Sequence, residues 1–199
     1  MVHLNQVTVR PAVADDGASI VSIMTAAVNA ADSSKPNKDI GPGMWREPKP
    51  AEARSALKQN LENENYRVYV AQLEGKLVGF VSAVRRTITA VHLTNAIVID
   101  EIEIHPDFRE KGISKKLISE IHVWALETNT ELIATISGHQ DRDRNRFLAK
   151  LGFGQVGAVR VTPTALLGSR LVPKSSRDSN RHISARRALR RRPLKATGE

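Results

Sequence analysis

The chain has no cysteine, only 4% aromatic residues and no long apolar run. Without cysteine there is no disulfide, no thiolate zinc site and no covalent intermediate carried on sulfur. No window approaches the roughly 20 consecutive apolar residues of a membrane span, and the first ten residues lack the charged start and apolar centre of a secretion signal. These absences predict a soluble, cytoplasmic protein. The histidines show no metal-ligand spacing of a recognised kind, so no metal site is expected. Acids are scarce at one end: residues 170–199 hold ten Lys/Arg against two acids, whereas the remaining residues hold twenty against nineteen. The formal charge of +9 is therefore a property of the tail, and the body is close to neutral.

What the chain does have is enough apolar content, 41% over 199 residues, to bury one core. Val7 to Val9 reads as a strand, and Asp15 or Asp16 can cap a helix carrying Ile20, Ile23, Met24, Ala27 and Val28 at helical spacing. Prolines and glycines between Ala31 and Pro50 mark a long loop, followed by a helix from Ala51 to Glu62. Tyr66 to Leu73 and Leu77 to Arg85 are β-rich and joined through Glu74-Gly75-Lys76, a hairpin. Ile97 to Ile104 is the next strand, Ser114 to Thr128 a helix, and Leu132 to Ser137 a strand placed for a locally parallel pairing. Asp141 caps a last helix that ends at Leu151-Gly152-Phe153, with Gly152 in the left-handed cap position. Gln155 to Val161 reads as a final strand, whereas Thr164 to Val172 has neither clean alternation nor a helical pattern. The expected fold is α/β, a mixed sheet with helices on both faces.

Chemistry concentrates between Ile97 and Leu117, IVIDEIEIHPDFREKGISKKL. A strand ends at His105-Pro106, a basic loop carries Arg109, Lys111 and Gly112, and a helix begins near Ser114 with Lys115 and Lys116 in its first turn. Unpaired N–H groups of a helix start, together with cations and a glycine that permits close approach, suit a phosphate or pyrophosphate. The competing reading is a solvated basic turn. Three acids, Asp100, Glu101 and Glu103, interrupt the otherwise apolar strand, and burying them without partners is costly. In a regular strand Glu101 and Glu103 share one face while Asp100, Ile102 and Ile104 share the other, unless a bulge intervenes. Such acids serve a cleft as general bases or pair with Arg85 or Arg86.

The hexamer Arg109-Glu110-Lys111-Gly112-Ile113-Ser114, after a strand ending in His-Pro, resembles the acetyl-CoA-binding motif of the GCN5-related N-acetyltransferase (GNAT) superfamily. Serine stands at a position where the family carries Gly or Ala. VRPAVADD at residues 9–16, LEGKLVGF at 73–80 and FLAKLGF at 147–153 are similar to other family segments, in the same order. The resemblance covers residues 5–162 and implies the GNAT fold, mostly antiparallel with a parallel central pair. It implies an N-acetyltransferase domain over residues 5–165, with a basic, disordered tail over 166–199. It assigns acetyl-CoA to Ile104, His105, Arg109, Lys111, Gly112, Ile113, Ser114, Lys115 and Asp141. Glu101, then Glu103, rank as catalytic bases.

The implied reaction is direct transfer of acetyl from acetyl-CoA to a primary amine: a small molecule, a protein lysine or an N-terminus. Many family members carry a tyrosine acid where this chain has Leu148, which cannot donate a proton. Ser137, His139 or water could substitute. Two other readings remain open, a CoA-binding regulatory module without catalysis and a nucleic-acid-associated factor acting through RRALRRR at 186–192. Trp45 in the long loop lines an acceptor site or simply packs.

Overall fold

The computed structural model describes residues 6–30, 47–91, 93–137, 141–157 and 164–171. They fall in two units, Met1–Gly157 and Ala158–Glu199. In the first, β1 (Val7–Pro11) leads through a single 3-10 turn (Ala14–Asp16) into α1 (Gly17–Ala30), and α2 (Pro50–Leu61) follows. Then come β2 (Tyr66–Leu73), β3 (Lys76–Thr87), β4 (Asn95–Ile104), α3 (Ile113–Glu127), β5 (Leu132–Thr135) and α4 (Arg142–Lys150). The second contains α5 (Thr164–Leu171), in a stretch whose sequence showed no periodicity. Trp45, His139 and the basic run at 186–192 lie outside the described residues.

The five strands form one sheet in sequence order, antiparallel from β1 to β4 and parallel between β4 and β5. The β2–β3 hairpin turns on Glu74 and Gly75, both at positive φ, the geometry that two-residue hairpin loops demand. α3 covers one face with Ile113, Leu117, Ile121, Trp124 and Ala125, all buried at helical spacing against Tyr69, Val81, Ile97 and Ile99. Ile113, Leu117 and Ile121 each contribute about 1.5–3 kcal/mol by leaving water. The other face carries a smaller core of Ile23, Leu57, Val68, Val70 and Phe80 under α1 and α2. Helices on both faces are what the sequence predicts.

Three local expectations need correction or confirmation. Asp16 does not cap forward. Its carboxylate reaches back to the Val13 N–H at 2.8 Å and forms a two-point pair with Arg10 at 2.7 and 2.8 Å. The last turn of α4 does end as expected: Gly152 has φ 90°, its N–H donates to Ala149 C=O, and the Phe153 N–H donates to Leu148 C=O. Gln155, Val156 and Gly157 are not in a strand, and the rest of the expected final strand lies outside the described residues.

Candidate functional site

β4 is the axis of the site. It pairs with β3 along its whole length, but with β5 only from Ala96 to Ile99. From Asp100 to Ile104 its outer edge has no strand partner among the described residues, so backbone groups there are open to a ligand. The register against β3 also slips: Ser82 faces Glu101 and Ala83 faces Ile99, which leaves Asp100 as the extra residue of a β-bulge. Ile97 and Ile99 before the bulge, and Ile102 and Ile104 after it, all meet the α3 core. Glu101 is thereby turned to the α1–α2 face.

There Glu101 borders a cavity of about 160 Å³ with Tyr66, Val68, Phe80 and Ser82 from the sheet and Ile20, Met24 and Leu57 from the helices. Its carboxylate keeps solvent access on one side and has no hydrogen bond or ion pair with the described residues. Surrounding protein, together with the negative charges of Asp100 and Glu103, pushes its pKa above the usual carboxylate range. Partial burial also raises Asp100, against the opposing pull of Arg86. Tyr66 is raised as well, by burial first and then by the nearby acids, while its approach to Ser82 works the other way. Ser82 Oγ itself is buried, and the Tyr66 hydroxyl is a polar group that approaches it.

Glu103 is differently placed. Arg144 of α4 donates to its Oε1 at 2.6 Å and to the Ile102 carbonyl at 3.2 Å, and the Arg109 guanidinium lies 4.0 Å from Oε2. The expected partners, Arg85 and Arg86, do not pair with it: Arg85 donates to Thr130 Oγ1 at 3.1 Å. Two cations hold Glu103, which sets it apart from Glu101, which has no cation among the described residues.

The basic loop folds tightly. The His105 N–H donates to Val78 C=O at 2.9 Å, and the loop turns through a 3-10 turn, Pro106–Phe108. Lys111 Nζ donates to the Asp107 carbonyl at 3.1 Å and sits 4.9 Å above the Phe108 ring. Glu110 has φ 63° and Gly112 φ 72°, two left-handed residues that reverse the chain into α3. Gly112 is the N-cap and offers no side chain, and the first helical bond runs from the Lys116 N–H to its carbonyl. The N–H groups of Ile113, Ser114 and Lys115 thus precede the helical ladder. Ile113 is 1% exposed, so only its backbone can meet a ligand. Ser114 is half-buried and Lys115 exposed in the same turn, while Lys116 Nζ donates to Val7 C=O at 2.7 Å and ties the helix to β1.

Of the remaining expected residues, Asp141 caps α4 by accepting from the Arg144 N–H at 3.0 Å. Ile104 is buried against α3. Leu148 is buried, and Ser137 Oγ donates to Asn145 Oδ1 at 2.8 Å. No cluster of His, Asp or Glu suited to a metal occurs among the described residues, and no helix there is long and apolar enough to cross a membrane. Sequence reasoning missed Tyr66, Ser82 and Arg144. Arg144 had a signal, a long cation in the first turn of a helix capped by Asp141.

Residues 36–153 match the model of the Acetyltransferase (GNAT) family. The chain belongs to this family. An uncharacterized N-acetyltransferase of Methanocaldococcus jannaschii is 27% identical over 108 residues, 54% of this GNAT chain and 48% of its own length. The chain thus spans about half the length of that relative. Among solved structures, a transcriptional regulator from Bacillus halodurans C-125 superposes with TM-score 0.65 at 21% identity, covering 79% of this chain and 99% of its own. An aminoglycoside N-acetyltransferase in complex with CoA superposes with TM-score 0.61 at 14% identity, covering 79% and 94%. At these identities the two structures establish the shared GNAT fold.

Proposed function

We propose that the protein transfers an acetyl group from acetyl-CoA to a primary amine by direct attack, with Glu101 as the base. The observation that carries this reading is the parting of β4 from β5 beside an uncapped helix start, with a carboxylate just past the parting that has no cation among the described residues. The residues present fit acetyl-CoA. Backbone groups of Ile104 suit the pantetheine arm, whereas those of the expected His105 are engaged, its N–H with Val78 C=O and its C=O with the Phe108 N–H; the N–H groups of Ile113, Ser114 and Lys115 suit the pyrophosphate. The charges of Arg109, Lys111 and Lys115 favour the same anion. Asp141 contributes by fixing α4 and its Arg144. An aminoglycoside acetyltransferase bound to CoA shares the fold, which supports the cofactor assignment.

Acetyl-CoA bound there supplies an activated thioester carbonyl, whose C–S bond breaks as the amine adds. An ammonium has no lone pair, so Glu101 takes its proton first, directly or through water. The raised pKa of Glu101 suits that task, because a stronger base accepts the proton more readily. Glu103 holds Arg144 and Arg109 near the open edge, and a strand amide near Ile104 polarises the carbonyl. Leu148 supplies no acid and the Ser137 hydroxyl is engaged with Asn145, so the leaving thiolate takes its proton from solvent.

The buried Leu148 also favours a second reading, a CoA-binding module that does not turn over. Thiol release separates the two. With acetyl-CoA and a panel of amines, the wild-type rate should rise with pH as Glu101 loses its proton, then level. Glu101→Gln should lower kcat by about 100-fold or more and erase that limb. A melting-temperature rise with acetyl-CoA but no thiol release from any amine would leave the binding module standing.

A further inference from the structure

The cavity beside Glu101 carries information about the acceptor. Ile20, Met24, Leu57, Val68 and Phe80 give it apolar walls, and its volume of about 160 Å³ is that of one small ring or a branched aliphatic group. One charged group at its sheet side is unmet. Glu101, on β4 opposite Ser82 of β3, has no cation among the described residues. An alkylammonium has three N–H donors and one charge. It would give Glu101 a counter-ion, leaving its carbon chain to the apolar walls. A polycation fits poorly, because each additional amino group would have to desolvate against those aliphatic side chains with no second carboxylate among the described residues that line the cavity.

We infer that this cavity binds the acceptor's side chain and selects a free monoamine with a compact apolar group, of the arylalkyl or branched-alkyl kind. The reactive step rests on the acetyl-transfer reading; the binding step does not.

The probe is 2-phenylethylamine with full-length protein, compared with ethylamine, putrescine, the aminoglycoside kanamycin and a short peptide with a free N-terminal phenylalanine. Thiol release gives kcat/KM for each, and calorimetry gives binding directly. The ring should raise kcat/KM over ethylamine by about 30-fold, the value of burying one such side chain. Met24→Trp, and separately Ile20→Phe, should bring that ratio towards one while circular dichroism stays that of the wild type. Kanamycin or putrescine as the best acceptor overturns the inference and leaves acetyl transfer standing. The peptide surpassing 2-phenylethylamine overturns the assignment to a free monoamine. Calorimetric binding of 2-phenylethylamine that Met24→Trp removes, with no thiol release from any amine, supports the cavity and sinks acetyl transfer instead. Absence of both binding and turnover with 2-phenylethylamine overturns the inference.

Discussion

Gly79 on β3 tests how closely the two halves of the site are fitted. A Cβ added there would lie 2.5 Å from Ile104 Cδ1, 3.1 Å from the Glu103 carbonyl oxygen and 3.5 Å from Ile113 Cγ2. The first contact is with the far end of a side chain, yet that side chain is 6% exposed and has little room to rotate. The second is backbone, and must move by a few tenths of an ångström. Overpacking of this kind costs about 1–3 kcal/mol. For a domain of this size a loss of about 2 kcal/mol lowers Tm by roughly 4–8 °C in a calorimetric scan. Ile104→Val removes the offending methyl and alone costs about 1 kcal/mol. The double variant Gly79→Ala with Ile104→Val should therefore lose less than the sum of the singles, with a favourable coupling of about 1 kcal/mol. Strict additivity would refute the reasoning, because it would mean that Ile104 Cδ1 is not what the new methyl meets.

Asp16→Asn should destabilise by about 2 kcal/mol at pH 7 in urea unfolding, less than a fully buried pair because Arg10 retains a third of its exposure. The hydrogen bonds from Arg10, and then from the Val13 N–H, hold the Asp16 pKa below its ordinary value against the opposing effect of burial. Its contribution is thus fully present above the unfolded carboxylate range and fades as pH falls through the folded pKa. The curves of the wild type and the Asp16→Asn variant should converge in acid; a gap that persists or widens there contradicts the assignment. Gly112→Ala forces a Cβ into a left-handed backbone at the α3 N-cap, at a cost of about 1 kcal/mol. Calorimetry with CoA should show weaker binding by at least about fivefold, and unchanged affinity would remove that turn from the phosphate site.

Features decided locally were legible in the sequence. The Glu74-Gly75 turn, the α3 stripe through Leu117 and Ile121 and the Gly152 cap each depend on a few neighbouring residues, and each is found where expected. Features decided by distant partners were not. Asp16 was read with Asp15 as one of two candidate forward caps, whereas Arg10 on β1 and the Val13 amide draw it backwards. Glu103 was read as a second base or as a partner of Arg85 or Arg86, but α4 brings Arg144 to it from 41 residues away. Tyr66 and Ser82 read as ordinary strand residues because neither shows, on its own, that a cavity lies before it.

The Asp100 bulge is the intermediate case, since its trace is present in the apolar spacing. Isoleucines occur at 97, 99, 102 and 104, so the alternation slips by one residue between Ile99 and Ile102. A strand without a bulge would put Ile97 and Ile99 on the α3 face and then present Glu101 and Glu103 to the same core. Two carboxylates would enter an apolar interface, while Ile102 and Ile104 turned away from it. One extra residue resolves the conflict: all four isoleucines meet α3, and the acids come round to the α1–α2 side. The same slip falls one residue past the last β4–β5 pair, Ile99 with Thr135. Apolar phase, strand parting and the exposure of Glu101 to the cavity are therefore linked at one position. Glu101 stands two residues past the last β4–β5 pair and borders the cavity under α1 and α2.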